Sequence, residues 1–384
     1  MKKFVIVLIL FLLVGCTSEK IVKKKAVKKN EEDIVEKTLK SMSLEEKIAQ
    51  MLVLDCSDIP SDEEFKNTPL GGVILMKNCI TDYQSTKNLV SNLKSNSKFP
   101  MIIGIDHEGG NVQRLSNLSD VSVSNVPFMY NVGLKNDTSL TYDIGKVLAE
   151  EVRTIGVNVV FAPVIDIYSN PNNTVIGKRS FGNDATLVSN MGNSLSKGLE
   201  DNGVISTFKH FPGHGDTDVD SHIDLPVINK SLDELNSLEF IPFKEAIKSG
   251  AKIIMVGHIA LPKITGDNTP SSLSKTVIDI LKNDLGYKGL VITDGLNMGA
   301  LTKMHSNEEI AAKAIEAGND LLLLPVDGVK TVEYIKSSVS EERINESVRK
   351  ILKFKFEYLN KDNFLDSSYL DNDEHKQIIS RVYN

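Results

Sequence analysis

Eight apolar runs of strand length recur along this chain, and segments of helical period or helix-favouring composition lie between them. The runs are Met51 to Leu54, Gly72 to Met76, Met101 to Ile105, Asn158 to Pro163, Val204 to Phe208, Lys252 to Val256, Leu290 to Thr293 and Asp320 to Leu324. The helical segments fall at 82–96, 138–155, 185–200, 232–249, 275–284 and 307–317. Strands alternating with helices pair in parallel through crossover units, and strands apolar throughout are buried on both faces. Eight such units predict an α/β fold closed into a TIM-like (β/α)8 barrel, with an open doubly wound sheet as the alternative. Ser43 and Glu46 fit a capping box opening the first helix. No Pro/Gly/Ser-rich linker interrupts residues 43–360, so one catalytic domain is expected there, closed by the amphipathic segment Ser340 to Leu359 and followed by a polar tail over 361–384.

In such a barrel the carboxyl ends of the strands share one mouth, where active sites are built. Asp106-His107-Glu108-Gly109-Gly110 follows the third run, with Gln113 and Arg114 just beyond. The fourth leads to Asp166 and then NPNNTVIGKRSFG, which carries Lys178 and Arg179; Lys209 and His210 follow the fifth, His258 the sixth and Asp294 the seventh. A single Asp after a strand is ordinarily a cap or turn residue, and a lone His is ordinarily structural. Gathering so many at one rim costs solvation that function readily explains.

The densest stretch runs from Lys209 to His222, KHFPGHGDTDVDSH, where three histidines and three aspartates are interleaved with glycines and a proline. Those residues rule out a regular helix and make a shaped polar loop. Carboxylates and imidazoles at a barrel mouth suit hydrolysis of a polar substrate. There is no HExxH, P-loop or strand-following GxGxxG. A hydrolytic metal held by Asp106, His210 and His258 is the alternative that the residues alone leave open. The net charge of -7 argues against nucleic-acid binding, because no excess of Lys and Arg is available for phosphates.

KHFPGHGDTDVDSH, together with FAPVIDIYSNPNNTVIGKRSFG and GLVITDGLNMGA, resembles glycoside hydrolase family 3 in its bacterial β-N-acetylglucosaminidase (β-hexosaminidase) branch, in order from about Leu44 through Tyr358. The resemblance implies a TIM-like barrel with Asp294 as nucleophile and His222 as general acid/base, oriented by Asp220. It implies sugar-binding roles for Asp106, Arg114, Lys178, Arg179, Lys209, His210 and His258, with no metal and no cofactor. The implied reaction is that of a retaining exo-β-N-acetylglucosaminidase, releasing non-reducing terminal GlcNAc from peptidoglycan-derived or related saccharides. A phosphorylase with the same residues is the second reading, and a catalytically silent wall-sugar-binding lipoprotein the third. A monomer is expected. His107 stands where the family commonly has Gln, and Gly295 where a second Asp is frequent. No αβα domain of the kind that supplies the acid/base in related β-glucosidases follows, which fits an acid/base on the barrel's own loop. Gly213 and Gly215 are expected to let that loop move, and His214 to be structural.

At the amino terminus, Lys2 and Lys3 precede an apolar run from Phe4 to Val14, shorter than the roughly twenty residues a membrane span needs. Residues 1–15 therefore read as a secretory signal peptide. Leu13-Val14-Gly15-Cys16 resembles a bacterial lipoprotein box, with Cys16 the lipidated residue; an uncleaved anchor is the alternative. Residues 16–42 read as a polar, basic tether, placing the protein on the extracytoplasmic face of the cell membrane. Cys56 and Cys79 remain, too few for a metal cluster, and two unpaired thiols are expected in preference to one disulfide.

Overall fold

The computed structural model describes residues 32–60, 63, 69–221, 223–359 and 364–384. Residues Met1–Ser43 and Leu44–Asn384 form separate compact units. The signal-peptide and Cys16 readings lie outside the described residues. Within the first unit residues 32–41 are helical, so the tether reading is corrected there: Val35, Leu39 and Met42 recur at helical spacing.

Among its described residues the second unit holds ten strands: β1 (Leu52–Asp55), β2 (Gly72–Leu75), β3 (Ile102–Ile105), β4 (His107–Gly109), β5 (Val112–Gln113), β6 (Val159–Val160), β7 (Ile205–Phe211), β8 (Ile253–Val256), β9 (Leu290–Thr293) and β10 (Leu322–Leu323). Eight form one parallel sheet in the order β10-β1-β2-β3-β6-β7-β8-β9, and β4 and β5 make a small antiparallel hairpin. Register is fixed by pairs such as Val53↔Gly72, Gly72↔Ile102, Gly104↔Val159, Val159↔Ile205, Thr207↔Ile253 and Ile253↔Leu290. The ring closes where Ile292 bridges Leu321 and where Asp320 and Leu321 donate their amides to the Val291 carbonyl, at 2.8 and 3.0 Å. The barrel is thus the TIM-like (β/α)8 fold expected from the eight runs. Nearly every strand residue is buried, as parallel strands covered by helices require.

The helices begin where side-chain caps appear. Asp82, Asp137, Asp184, Ser274 and Ser340 each accept a backbone N–H of the first turn, and Ser231/Glu234 and Ser306/Glu309 form complete capping boxes. Each such cap stabilises by about 1 kcal/mol. The expected helix over 232–249 is instead two, Leu232–Ser237 and Phe240–Lys248. Pro242 explains the break: without an N–H it fits the first turn of a new helix but not the middle of a long one. The segment expected as one helix over 275–284 changes from α to π at Ile280. A helix at Gly328–Ser338 was not expected, although Val332 and Ile335 show its buried face.

The polar-tail reading of 361–384 is corrected too. Asp373–Tyr383 is a helix capped by Asn372, and it packs on the helices Met129–Lys135 and Thr138–Thr154. Ile378 and Val382 supply its apolar stripe, and the fully buried His375 sets Nε2 2.9 Å from Glu150 and Nδ1 3.5 Å from Glu151. Burial alone would lower the His375 pKa, but hydrogen bonds to both glutamates outweigh it and hold it up to about 9. A raised folded-state pKa contributes stability that is complete below the ordinary value of 6.5 and is lost as pH rises through about 9. Comparing unfolding free energies of wild type and His375→Gln should show the variant weaker by about 2 kcal/mol near pH 6, with the gap shrinking toward pH 10. A gap that does not change with pH would contradict the ion pair.

Cys56 and Cys79 are joined in a disulfide, correcting the expectation of free thiols. Cys56 directly follows β1 and Cys79 ends a short turn after the adjacent, parallel β2, so both stand at the same barrel end with Cα atoms 6.3 Å apart. That separation lies within the range a disulfide spans.

Candidate active site

The β4–β5 hairpin rises from the end of β3. Its residues alternate in direction, as in any strand. Asp106 and Glu108 therefore face the barrel mouth, while His107 points into the protein, fully buried and 4.0 Å from Glu151. Burial holds the His107 pKa at about 4, leaving it neutral. Lys209 crosses from β7 to both carboxylates, at 3.0 Å from Asp106 and 2.6 Å from Glu108. Arg179 completes the set with a bidentate pair to Glu108, Nε and Nη2 each at 2.8 Å, and Arg114 stands 3.9 Å from Asp106. Burial would raise the Glu108 pKa, but the Arg179 and Lys209 charges hold it well below the usual carboxylate range.

Asp166 organises the next wall. Its carboxylate accepts the Nδ1–H of His210 at 2.7 Å and the backbone N–H of His214 at 2.7 Å. His210 Nε2, without a partner among the described residues, is left at the cavity wall. Burial foremost, with the His210 charge, lowers the His214 pKa to about 4. His214 is thus neutral: Nδ1 pairs with the Thr217 hydroxyl at 2.8 Å and Nε2 with the Ser221 hydroxyl at 3.0 Å, which pins the loop beside Asp220. Ala300 N donates to the Ser221 carbonyl at 3.2 Å, and Lys230 joins Asp216 at 2.7 Å to Glu239 at 2.5 Å across the loop's base. Gly213 has φ +119°, and a Cβ at Gly215 would sit 1.7 Å from the Ile167 carbonyl oxygen. Both glycines are therefore required by fit, where mobility was expected. His222 lies outside the described residues.

Asp294, half-buried, follows β9. Burial alone would raise its pKa; His210, His258, the Gly295 amide and Lys209 outweigh this and hold it at about 2. Gly295 N donates to Oδ1 at 2.8 Å. Asp106, Glu108, Arg114, Arg179, Lys209, His210, Ser221 and Asp294 thus line one cavity of about 380 Å3.

A family model described as the glycosyl hydrolase family 3 N-terminal domain matches residues 43–354. The chain belongs to glycosyl hydrolase family 3. A beta-hexosaminidase A of Pseudoalteromonas piscicida is 32% identical over 67% of this chain, and the match spans 46% of that protein. A beta-hexosaminidase of Neisseria gonorrhoeae is 33% identical over 66% of this chain and 71% of its own length. Among solved structures, a family 3 beta-N-acetylglucosaminidase from a Paenibacillus species superposes with a TM-score of 0.82 at 32% identity, covering 89% of this chain and 68% of that one. A beta-glucoside phosphorylase superposes with a TM-score of 0.84 at 25% identity, covering 92% and 67%.

In this family 3 chain, two residues expected at the sugar stand elsewhere. His258 is fully buried, Nε2 donating to the Gly295 carbonyl at 2.9 Å and Nδ1 paired with Ser272 at 2.8 Å; it positions the turn after Asp294. Lys178 is exposed and stands 5.8 Å over the Phe128 ring, because its neighbour Arg179 takes the inward direction. Glu108 was missed, although the alternation of a strand places it beside Asp106. Glu108→Gln is expected to destabilise the fold by about 3 kcal/mol, since it leaves two buried cations short of a counter-charge. It should also cut kcat/KM at least about tenfold through a displaced Lys209. Denaturant unfolding and steady-state kinetics check both; wild-type values in each would contradict the role.

Proposed function

We propose that this chain is a retaining exo-β-N-acetylglucosaminidase that releases terminal GlcNAc from cell-wall saccharides, including peptidoglycan-derived fragments. The observation that carries the reading is Asp294: an ionised carboxylate with one oxygen fixed by Gly295 N, in a cavity whose other wall is a matched set of charges. Asp106, Arg114, Lys209 and His210 offer directional hydrogen bonds to a terminal sugar's hydroxyls, and the curated relatives named beta-hexosaminidase support GlcNAc as that sugar. Asp294 attacks the anomeric carbon and His222 protonates the departing oxygen. Water, activated by the then neutral imidazole, next hydrolyses the glycosyl-enzyme.

The proposal extends to location. Cys16 is the lipid-anchored residue, and the body lies on the extracytoplasmic face. The Cys56–Cys79 disulfide supports an oxidising compartment. Among the described residues no helix is long and apolar enough to cross a membrane, and a lipid anchor needs none.

The resemblance to a phosphorylase structure makes phosphate the competing acceptor to test. An aryl N-acetyl-β-glucosaminide in phosphate buffer should yield free GlcNAc, initially as the β-anomer by NMR. GlcNAc 1-phosphate as the main product would overturn hydrolysis, and an α-anomer would overturn retention.

A further inference from the structure

A second hollow, of about 460 Å3, opens beside the sugar cavity. Asn297 and Leu324 line both, so the two adjoin across a shared wall. Asp55 at the end of β1 and Asp327 and Lys330 beyond β10 place the hollow on the β10–β1 side of the barrel mouth, with Asp58 on its rim. Resting on the glycosidase reading above, we propose that this hollow is the aglycone subsite and that it selects an aglycone carrying a protonated amine, such as a sugar with a free amino group.

A terminal sugar bound at Asp294 must direct the rest of its saccharide out past a wall of the cavity, and on the far side of the shared Asn297–Leu324 wall lies a space large enough for another ring. The two chambers differ in charge balance. In the sugar cavity the carboxylates Asp106, Glu108 and Asp294 are matched in number by Lys209, Arg179 and Arg114. Among the described residues, three carboxylates and one ammonium line the hollow. Asp58 and Asp327 are exposed, and among the described residues neither side chain forms an ion pair or hydrogen bond. Their charge is available to a ligand. An ammonium there gains attraction, a neutral N-acetyl sugar gains none, and a carboxylate-bearing aglycone is repelled.

The test compares kcat/KM at low salt and about pH 6, where a sugar amine is protonated, for GlcNAc β-1,4-linked to glucosamine, to GlcNAc and to a carboxylate-bearing muramic sugar. The glucosamine disaccharide should be preferred over the neutral one by about fivefold to tenfold, the scale of one or two exposed charge pairs. In Asp58→Asn/Asp327→Asn the preference should fall to near unity, with aryl N-acetylglucosaminide turnover unchanged. Asn tolerates the left-handed backbone of position 327, so the fold should survive. Turnover of the aryl glycoside without an amine preference, or a preference that survives in the double variant, overturns the subsite alone. No turnover of any glycoside overturns the glycosidase reading and the subsite with it.

Discussion

Asp294→Asn is expected to fold and bind substrate while kcat falls by more than about a thousandfold. Four strand-end carboxylates stand at or behind the walls of the sugar cavity, and three are committed. Glu108 is held by Lys209 and a bidentate Arg179, Asp166 by His210 and two backbone amides, and Asp106 by Lys209. Asp294 differs: Gly295 N fixes Oδ1, while Oδ2 has no donor among the described residues and lies in the cavity wall. A nucleophile needs an ionised oxygen with an uncommitted lone pair, and this group meets both conditions. The asparagine amide keeps the shape and can still accept from Gly295 N, but it cannot attack an anomeric carbon. Two measurements check the assignment: steady-state kcat, and peptide mapping after reaction with a fluorinated N-acetylglucosaminide that deglycosylates slowly. The label should fall on the peptide containing Asp294. A kcat within about tenfold of wild type, or a label on Asp106 or Glu108, would reject it.

The same carboxylate carries a pH signature. Its folded-state pKa, about 2 against an ordinary 3.8, is depressed, so its contribution to stability is present above the ordinary value and lost as pH falls through about 2. The acid limb of kcat/KM should therefore not be set by Asp294 between pH 4 and 6, the range where an unperturbed carboxylate would begin to protonate.

What the sequence made legible was the periodic part. Continuous apolar runs located all eight barrel strands because burial on both faces strongly favours apolar residues there. Local rules failed where long-range contacts decide. The rim residues Lys178 and Arg179 are indistinguishable by type, and only the fold shows that Arg179 meets the buried Glu108 while Lys178 turns out over Phe128. The sugar-binding role of His258 is implied by the resemblance alone; its partners in the structure, Ser272 and the Gly295 carbonyl, are 14 and 37 residues away. The cysteine pair was misjudged for the same reason, since two neighbouring parallel strands bring together residues 23 apart. The terminal helix read as a tail because its polar and charged residues together outnumber its apolar ones, and its buried His375 is balanced by glutamates on another helix.

Removing the proposed acid/base, His222, should separate substrates by leaving group. In His222→Ala, hydrolysis of a disaccharide should fall by about a hundredfold to ten-thousandfold, while a dinitrophenyl glycoside, whose phenolate departs unaided, should lose far less in its first step. The flanking backbone makes this a test of chemistry and not of folding. Ser221 is held through its hydroxyl by His214 and through its carbonyl by Ala300 N, the Asp220 carbonyl accepts Ile223 N and Asp224 N at 2.9 Å, and Lys230 braces the loop's base. None of those bonds uses the side chain at 222. In the proposed Asp220–His222 dyad, Asp220→Asn should give the same pattern more weakly, because an imidazole without a carboxylate to orient it is a poorer proton carrier but is still present. For the activated substrate, deglycosylation then becomes limiting, so a pre-steady-state burst of phenolate should appear in His222→Ala. An equal loss for both leaving groups, with no burst, would reject the acid/base role and leave the loop as a sugar-binding element only.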